Sequence, residues 1–153
     1  MLSQKIINKI LETGFYFDDE FDFEKNKIVL TQESREWFRD NLGLKYLNSA
    51  FVDFYSFCSG GCGPNDNADC LYGLEEICED YKQSFHADDY PNITDRYLQI
   101  SSIEGEGSYF YDKKTDAVYD VDWGDMDDFM AGRLKPIFTS FYDFLEWYYS
   151  EED

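Results

Sequence analysis

The sequence predicts an α+β domain: helices in the first half, an antiparallel-rich sheet formed as a C-terminal meander, and a closing C-terminal helix packed with the rest. Three observations carry this expectation. Apolar residues recur at helical spacing in several segments before residue 84 and again near the C-terminus. Between about residues 97 and 121 the pattern changes to short β-prone runs, and Lys113-Lys114-Thr115-Asp116 makes a compact turn between the last two. The chain is 153 residues long with 20% aromatic residues, which is one domain's length, residues 1–153, and far too much ring surface for a disordered chain.

Each element follows from its local chemistry. Ser3 to Thr13 places Ile6, Ile7, Ile10 and Leu11 on one helical face, with Ser3 as N-cap and Gly14 past the end. Phe15 to Glu24 alternates rings with acids and is weakly strand-like; the turn-prone Lys25-Asn26-Lys27 then leads into Ile28-Val29-Leu30. Thr31 caps a helix to about Asn41, with Glu33 in its first turn, Trp37 and Phe38 as its inward face, and Gly43 ending it. A third helix spans Ser49 to Cys58 and stops at Gly60-Gly61. The stretch SGGCGPNDNAD, from Ser59 to Asp69, is the most loop-like part of the chain. A short strand near Leu71 and Tyr72 precedes a helix from Leu74 to about Gln83, and Asp88 to Asp95, broken by Pro91, is a further loop. Strands are expected at Tyr97–Ile103, Ser108–Asp112 and Ala117–Val121, followed by a Gly- and Asp-rich loop. Ser140 opens the last helix with a Ser-x-x-Asp capping pair, and Phe141, Phe144, Leu145 and Tyr148 share its buried face.

The charge balance narrows function. With 33 acidic against 13 basic residues the net charge is −20. A phosphate-backbone binder needs Lys and Arg to displace counterions, so direct nucleic-acid binding is not expected, and neither is an anionic membrane surface. No apolar run approaches the roughly 18–20 residues of a membrane span. The N-terminal MLSQKIINKILETG is interrupted by Lys5, Asn8 and Lys9 and does not resemble a secretory signal, so a cytoplasmic location and a monomeric state are expected.

Conventional catalytic and ligand-binding patterns are weak. The four cysteines, Cys58, Cys62, Cys70 and Cys78, are spaced C-x3-C-x7-C-x7-C, which lacks the close pairs of zinc ribbons, and are expected to be reduced and structural. His86 is the single histidine, has no nucleophile near it in sequence, and is expected to sit solvated at a helix end. Glu104 and Glu106 are the most localised carboxylate pair; an acid/base role competes with two exposed acids on a strand-end turn, and the latter is favoured. Gly105 and Gly107 resemble a fragment of a phosphate loop, but the flanking glutamates would repel phosphate. A calcium loop counted from Asp120 has Asp125 where glycine is needed and Ala131 where the bidentate glutamate belongs, so it is not an EF-hand. No cofactor, metal or catalytic residue is assigned.

The acidic stretch from Val118 to Phe129 is the feature that remains. Asp120, Asp122, Asp125, Asp127 and Asp128 occur there without a basic residue, interleaved with Tyr119, Trp123 and Phe129. Rings within a charged field are the composition of a protein–protein contact, and a solvated acidic loop is the equal alternative.

The second half also resembles a family. RYLQISSIEGEGSYFYDKKTDAVYDVDW is similar to the central signature of the SUKH superfamily, the SMI/KNR-type domain, and SFYDFLEWYY to its final helix. Phe51 to Cys58 running into Ser59-Gly60-Gly61 resembles the family's helix with a polar-Gly-Gly ending, so the likeness covers residues 31–149. The chain departs from the pattern at Leu47-Asn48-Ser49, where the family often has proline, and in the loop from Cys58 to Cys70. The resemblance implies a non-enzymatic domain. It implies an immunity protein that occludes a cognate basic toxin domain, a nuclease or nucleic-acid deaminase; the alternative is a regulatory scaffold of the SMI/KNR type. On that reading Asp120, Asp122, Asp125, Asp127, Asp128, Glu104 and Glu106 meet the partner's Lys and Arg, and Trp123 is the hydrophobic anchor.

Overall fold

The computed structural model describes residues 2–150 and shows an α+β fold. Helix α1 (Gln4–Thr13) is capped by Ser3, whose hydroxyl accepts from the Ile6 amide at 3.3 Å, and it buries Ile6, Ile7 and Ile10. A small hairpin follows, β1 (Phe21–Asp22) paired with β2 (Lys27–Ile28). Helix α2 (Gln32–Leu42) starts at Thr31, which accepts from the Ser34 amide, and ends at Gly43 in the left-handed region (φ 70°). Helices α3 (Ala50–Phe57) and α4 (Leu74–Lys82) come next. Strands β3 (Tyr97–Gln99), β4 (Gly107–Asp112) and β5 (Val118–Asp122) form the antiparallel meander in the order β3-β4-β5. A short helix α5 (Met126–Met130) and the closing α6 (Phe141–Tyr148) complete the chain, the latter capped by Ser140 accepting from the Asp143 amide.

The meander is buried on both faces. Strand alternation sends Tyr109 and Tyr111 of β4 to one side and Phe110 to the other. Tyr109, Tyr111, Leu98 and Val118 join the larger core with α1, α3 and α6. Phe51 of α3 stacks on Tyr111 at 4.1 Å between ring centres and meets Phe141 of α6 edge-on at 5.1 Å. On the other side Phe110, Tyr97 and Val121 pack against Ile93, Met126 and Phe129 in a smaller core.

Several sequence expectations need correction. Phe15 to Glu24 is not one strand: Tyr16 bridges to Cys58, a 3-10 turn covers Asp18–Glu20, and only Phe21–Asp22 pairs in the hairpin. Trp37 is not inward; Phe38 alone is buried on that part of α2, and Trp37 stays 36% exposed. Helix α3 ends at Phe57, because Cys58 is already extended and bridged to Tyr16. The segment after β5 is not a loop but a 3-10 turn, Trp123–Asp125, running into α5, since Met126 and Phe129 lie one helical turn apart and both reach the smaller core. The cysteines are not all reduced. Cys62 and Cys70 form a disulfide closing a loop whose neighbours Gly61 and Leu71 already pair backbone to backbone, while Cys58 and Cys78 are free. Burial pushes the Cys58 thiol up to about 11, so it behaves as a small apolar group. At Gly60, with φ 88°, a Cβ would lie 2.5 Å from the Tyr72 carbonyl oxygen, so that close crossing requires glycine.

One polar pair fixes the far end of the meander. Asp112 is fully buried, and Arg96 Nε and Nη2 donate to both of its carboxylate oxygens at 2.9–3.1 Å. Asp112 Oδ1 also accepts from the Lys114 and Thr115 amides, which holds the 113–116 turn in place. Burial alone would raise this carboxyl; Arg96 and the turn donors outweigh it and hold Asp112 below its ordinary value. The stabilisation is therefore present above the unfolded pKa and disappears as pH falls through the depressed folded pKa. Arg96→Ala strands the buried carboxylate. We expect a loss of about 1–3 kcal/mol in urea unfolding at neutral pH, and the difference from the parent should shrink as pH falls, because protonation neutralises the stranded carboxyl in the variant and removes the ion-pair contribution in the parent.

Candidate protein-binding face

The acidic face is assembled at the end of the meander opposite the 113–116 turn. Gly107 pairs with Asp122 and Tyr109 with Asp120, so the turn joining β3 to β4, which carries Glu104 and Glu106, lies beside the end of β5. Trp123 fastens the two: its backbone N–H donates to the Glu106 carbonyl at 3.0 Å and its Nε1–H to the Gly105 carbonyl at 2.8 Å. Glu104, Glu106, Asp120 and Asp122 are all exposed. Burial first, then the charges of Asp122 and Asp69, raise the Asp120 carboxyl, the signature of like charges held together. Asp69, on the disulfide-closed loop, was not singled out in the sequence; nothing local marks it, and the Asp69 amide donating to the Tyr109 hydroxyl at 3.1 Å brings it there.

The remaining predicted contact residues are placed differently. Asp125 is half-buried at the start of α5. Asp127 accepts a hydrogen bond from the Tyr90 hydroxyl, and Asp128 is ion-paired to Arg133 at 2.8 Å. All three contribute to the field, and Asp127 and Asp128 are already engaged within the fold. The rings between the acids are explained by packing: Phe129 is buried and Tyr119 and Trp123 are half-buried against the smaller core. Trp123 therefore holds the site together while its ring stays half-exposed. The exposed ring is Phe85, 67% accessible, which meets His86 edge-on at 5.2 Å, and His86 in turn lies 5.1 Å from Trp123. Phe85 stands at a groove of about 810 Å³ that is shared with Ile103 and with Glu76, Glu79 and Asp80 of α4. Its place next to a helix end in sequence carried no signal; only the approach of α4 to the 103–106 turn creates the groove.

Charge is separated along the strands. Lys113, Lys114, Arg96 and Lys45, with Asp95 among them, gather around a cavity of about 370 Å³ at the turn end. Four residue rises of roughly 3.4 Å separate the Tyr111–Val118 pair from the Gly107–Asp122 pair, about 14 Å in all. A molecule polarised in this way presents its acidic end to a positive partner.

His86 also differs from expectation. It is buried, 8% exposed, with Nε2 3.2 Å from the Gln99 Oε1, whose amide nitrogen donates to the Ser101 carbonyl. Burial lowers its pKa, against the opposing effects of the Gln99 hydrogen bond and the Asp80 and Asp89 charges. A neutral imidazole under Trp123 supports the face structurally. Among the described residues no three His, Cys, Asp or Glu side chains are grouped to hold a metal ion, and no helix is long and apolar enough to cross a membrane.

No protein-family model, curated protein or solved structure matches this chain.

The histidine supplies a clean readout, being the single one in the chain. Its folded pKa lies below the unfolded value of about 6.5, so the unfolded state takes up the proton first and stability falls as pH drops below that value. The imidazole Hε1 resonance should titrate below pH 6.5 in the folded protein. His86→Gln should flatten the stability profile between about pH 6.5 and the folded pKa.

Proposed function

We propose that this protein is a non-enzymatic binding domain that occludes a basic partner domain, in the manner of a SUKH-type immunity protein neutralising a cognate toxin that itself grips nucleic acid. The observation that carries this reading is the exposed Phe85 at an acidic groove that borders the turn bearing Glu104 and Glu106. An apolar anchor beside a predominantly acidic rim, with Glu76, Glu79 and Asp80 against Lys82, is what a basic protein surface complements: the ring supplies desolvated contact and the acids supply steering. The partner's own site, shaped for phosphates, would be rich in Lys and Arg. Phe85 supplies the exposed ring of this face, with the half-buried Trp123 beside it through His86. A cytoplasmic, monomeric protein paired with one such partner fits this role.

The test is recovery of partners on the tagged protein from its native cells, washed at low and then high salt and identified by mass spectrometry. One basic protein held through moderate salt supports the proposal; a set of weakly held proteins of mixed charge would favour a scaffold. With the partner in hand, Asp120→Lys, Asp122→Lys and Glu106→Lys combined should slow association by about ten-fold or more at low salt, because long-range attraction sets the on-rate. Phe85→Ala should instead raise the off-rate, by about ten-fold if the ring is a hot spot. Unchanged binding by both variants would sink the assignment of this face.

A further inference from the structure

The turn end of the meander carries a second concave site, made of residues the acidic face does not use. The cavity there, of about 370 Å³, is lined by the chain leaving α2, by the segment entering β3 and by the 113–116 turn. That volume falls within the usual range for small-ligand sites, roughly 300–1,000 Å³. Lys45, Arg96, Lys113 and Lys114 line it, four of the 13 basic residues in a chain with 33 acids. Among the described residues Asp95 is the single acid in its wall. The ring of Tyr46, 69% exposed, lines it as well.

Ion pairing within the fold does not account for this gathering. Lys45, Lys113 and Lys114 have no carboxylate at ion-pair distance among the described residues, although acids outnumber bases in the chain. Lys113 is half-buried and held in place: its Nζ donates to the Leu42 carbonyl at 3.0 Å and lies 4.7 Å from the centre of the Tyr81 ring. Gly43 permits that placement, because a Cβ there would lie 2.9 Å from Tyr81 Oη and 3.2 Å from Lys113 Nζ. Burial lowers the Lys113 pKa against the charge of Asp95, so this cation is partly desolvated with no anion upon it. Arg96 is fixed by the buried Asp112, which takes its Nε and Nη2. The fold thus sets two of the four cations before any ligand arrives, and the exposed Lys45 and Lys114 join them in the cavity wall.

We infer that this cavity binds a phosphate monoester carried on a ring, the chemistry of a phosphotyrosine side chain or of a small aryl phosphate. Lysine ammoniums act as point charges and suit the three acceptor oxygens of a phosphate. A carboxylate is read best by a planar two-nitrogen fork, and the fork of Arg96 is already taken by Asp112. The ligand's ring packs on Tyr46. The acidic end of the meander lies about 14 Å away, against a Debye length of about 8 Å at physiological salt, so its repulsion is largely screened. A nucleic-acid strand would meet the field of the −20 molecule along its length; a single monoester does not.

Amide proton–nitrogen correlation spectra of the intact chain, titrated at constant ionic strength and above the second phosphate pKa of about 6, test this. Phenyl phosphate should shift the Gly43, Lys45 and Lys114 amides saturably, and benzoate, which carries the same ring, should bind about ten-fold more weakly or not at all. Lys45→Gln combined with Lys114→Gln should weaken phenyl phosphate binding by about ten-fold, with circular dichroism unchanged because both side chains are exposed. Tyr46→Ala should weaken phenyl phosphate and leave inorganic phosphate as in the parent. Tighter binding of N-acetyl-phosphotyrosine amide than of phenyl phosphate identifies a polypeptide source, and the reverse order a free small ester. The combined Asp120→Lys, Asp122→Lys and Glu106→Lys variant should bind phenyl phosphate as the parent does, so failure of this cavity and failure of the acidic face are told apart. No saturable shift at these amides, equal binding of benzoate, or undiminished binding by the double lysine variant would overturn the inference.

Discussion

The central constraint is that β4 is covered on both sides. Tyr109 and Tyr111 are committed to the core under α3 and α6, and Phe110 to the smaller core under α5. With both faces of the meander dry, charge can reach solvent only at the strand ends and along the outer edge of β5. The acidic and basic groups accordingly separate to opposite ends, with Glu104, Glu106 and Asp122 at one and Lys113 and Lys114 at the other. The electrostatic polarity is thus a by-product of hydrophobic burial.

A net charge of −20 works against compaction, and the structure shows how the opposition is contained. Among the described residues the one fully buried carboxylate, Asp112, has a bidentate arginine and two turn amides. Asp128 is ion-paired and Asp127 accepts from a tyrosine hydroxyl. At Asp120 burial, and after it the charges of Asp122 and Asp69, raise the carboxyl, so a positive group of the proposed partner would meet a carboxylate that folding leaves partly desolvated beside like charges.

Aromatic residues serve two ends that composition cannot separate. Phe51, Phe141 and Phe144 are buried and form the continuous stack with Tyr111. Phe85, Phe17 and Trp37 are the same chemical types left outside. Trp123 lies between the cases, its ring against His86 and its indole N–H tying β5 to the 104–106 turn. Acid-aromatic interleaving after β5 follows from α5 placing Met126 and Phe129 inside, with Tyr119 and Trp123 partly buried against them.

Local chemistry determined most of the framework. Ser3, Thr31 and Ser140 cap the helices they were expected to cap, Ser49 caps the third as well, and the three strands and the 113–116 turn follow from short β-prone runs and turn residues, because these signals act within a few residues. What lies between distant segments was decided by tertiary structure alone. The pairing of Cys62 with Cys70 depends on the bridge between Gly61 and Leu71, and the burial of His86 depends on β3 and Trp123 closing over it. The groove at Phe85 likewise exists only once α4 has docked. The reason is physical: capping and alternation are encoded by neighbours along the chain, whereas burial, pairing and pocket shape depend on which remote surfaces meet.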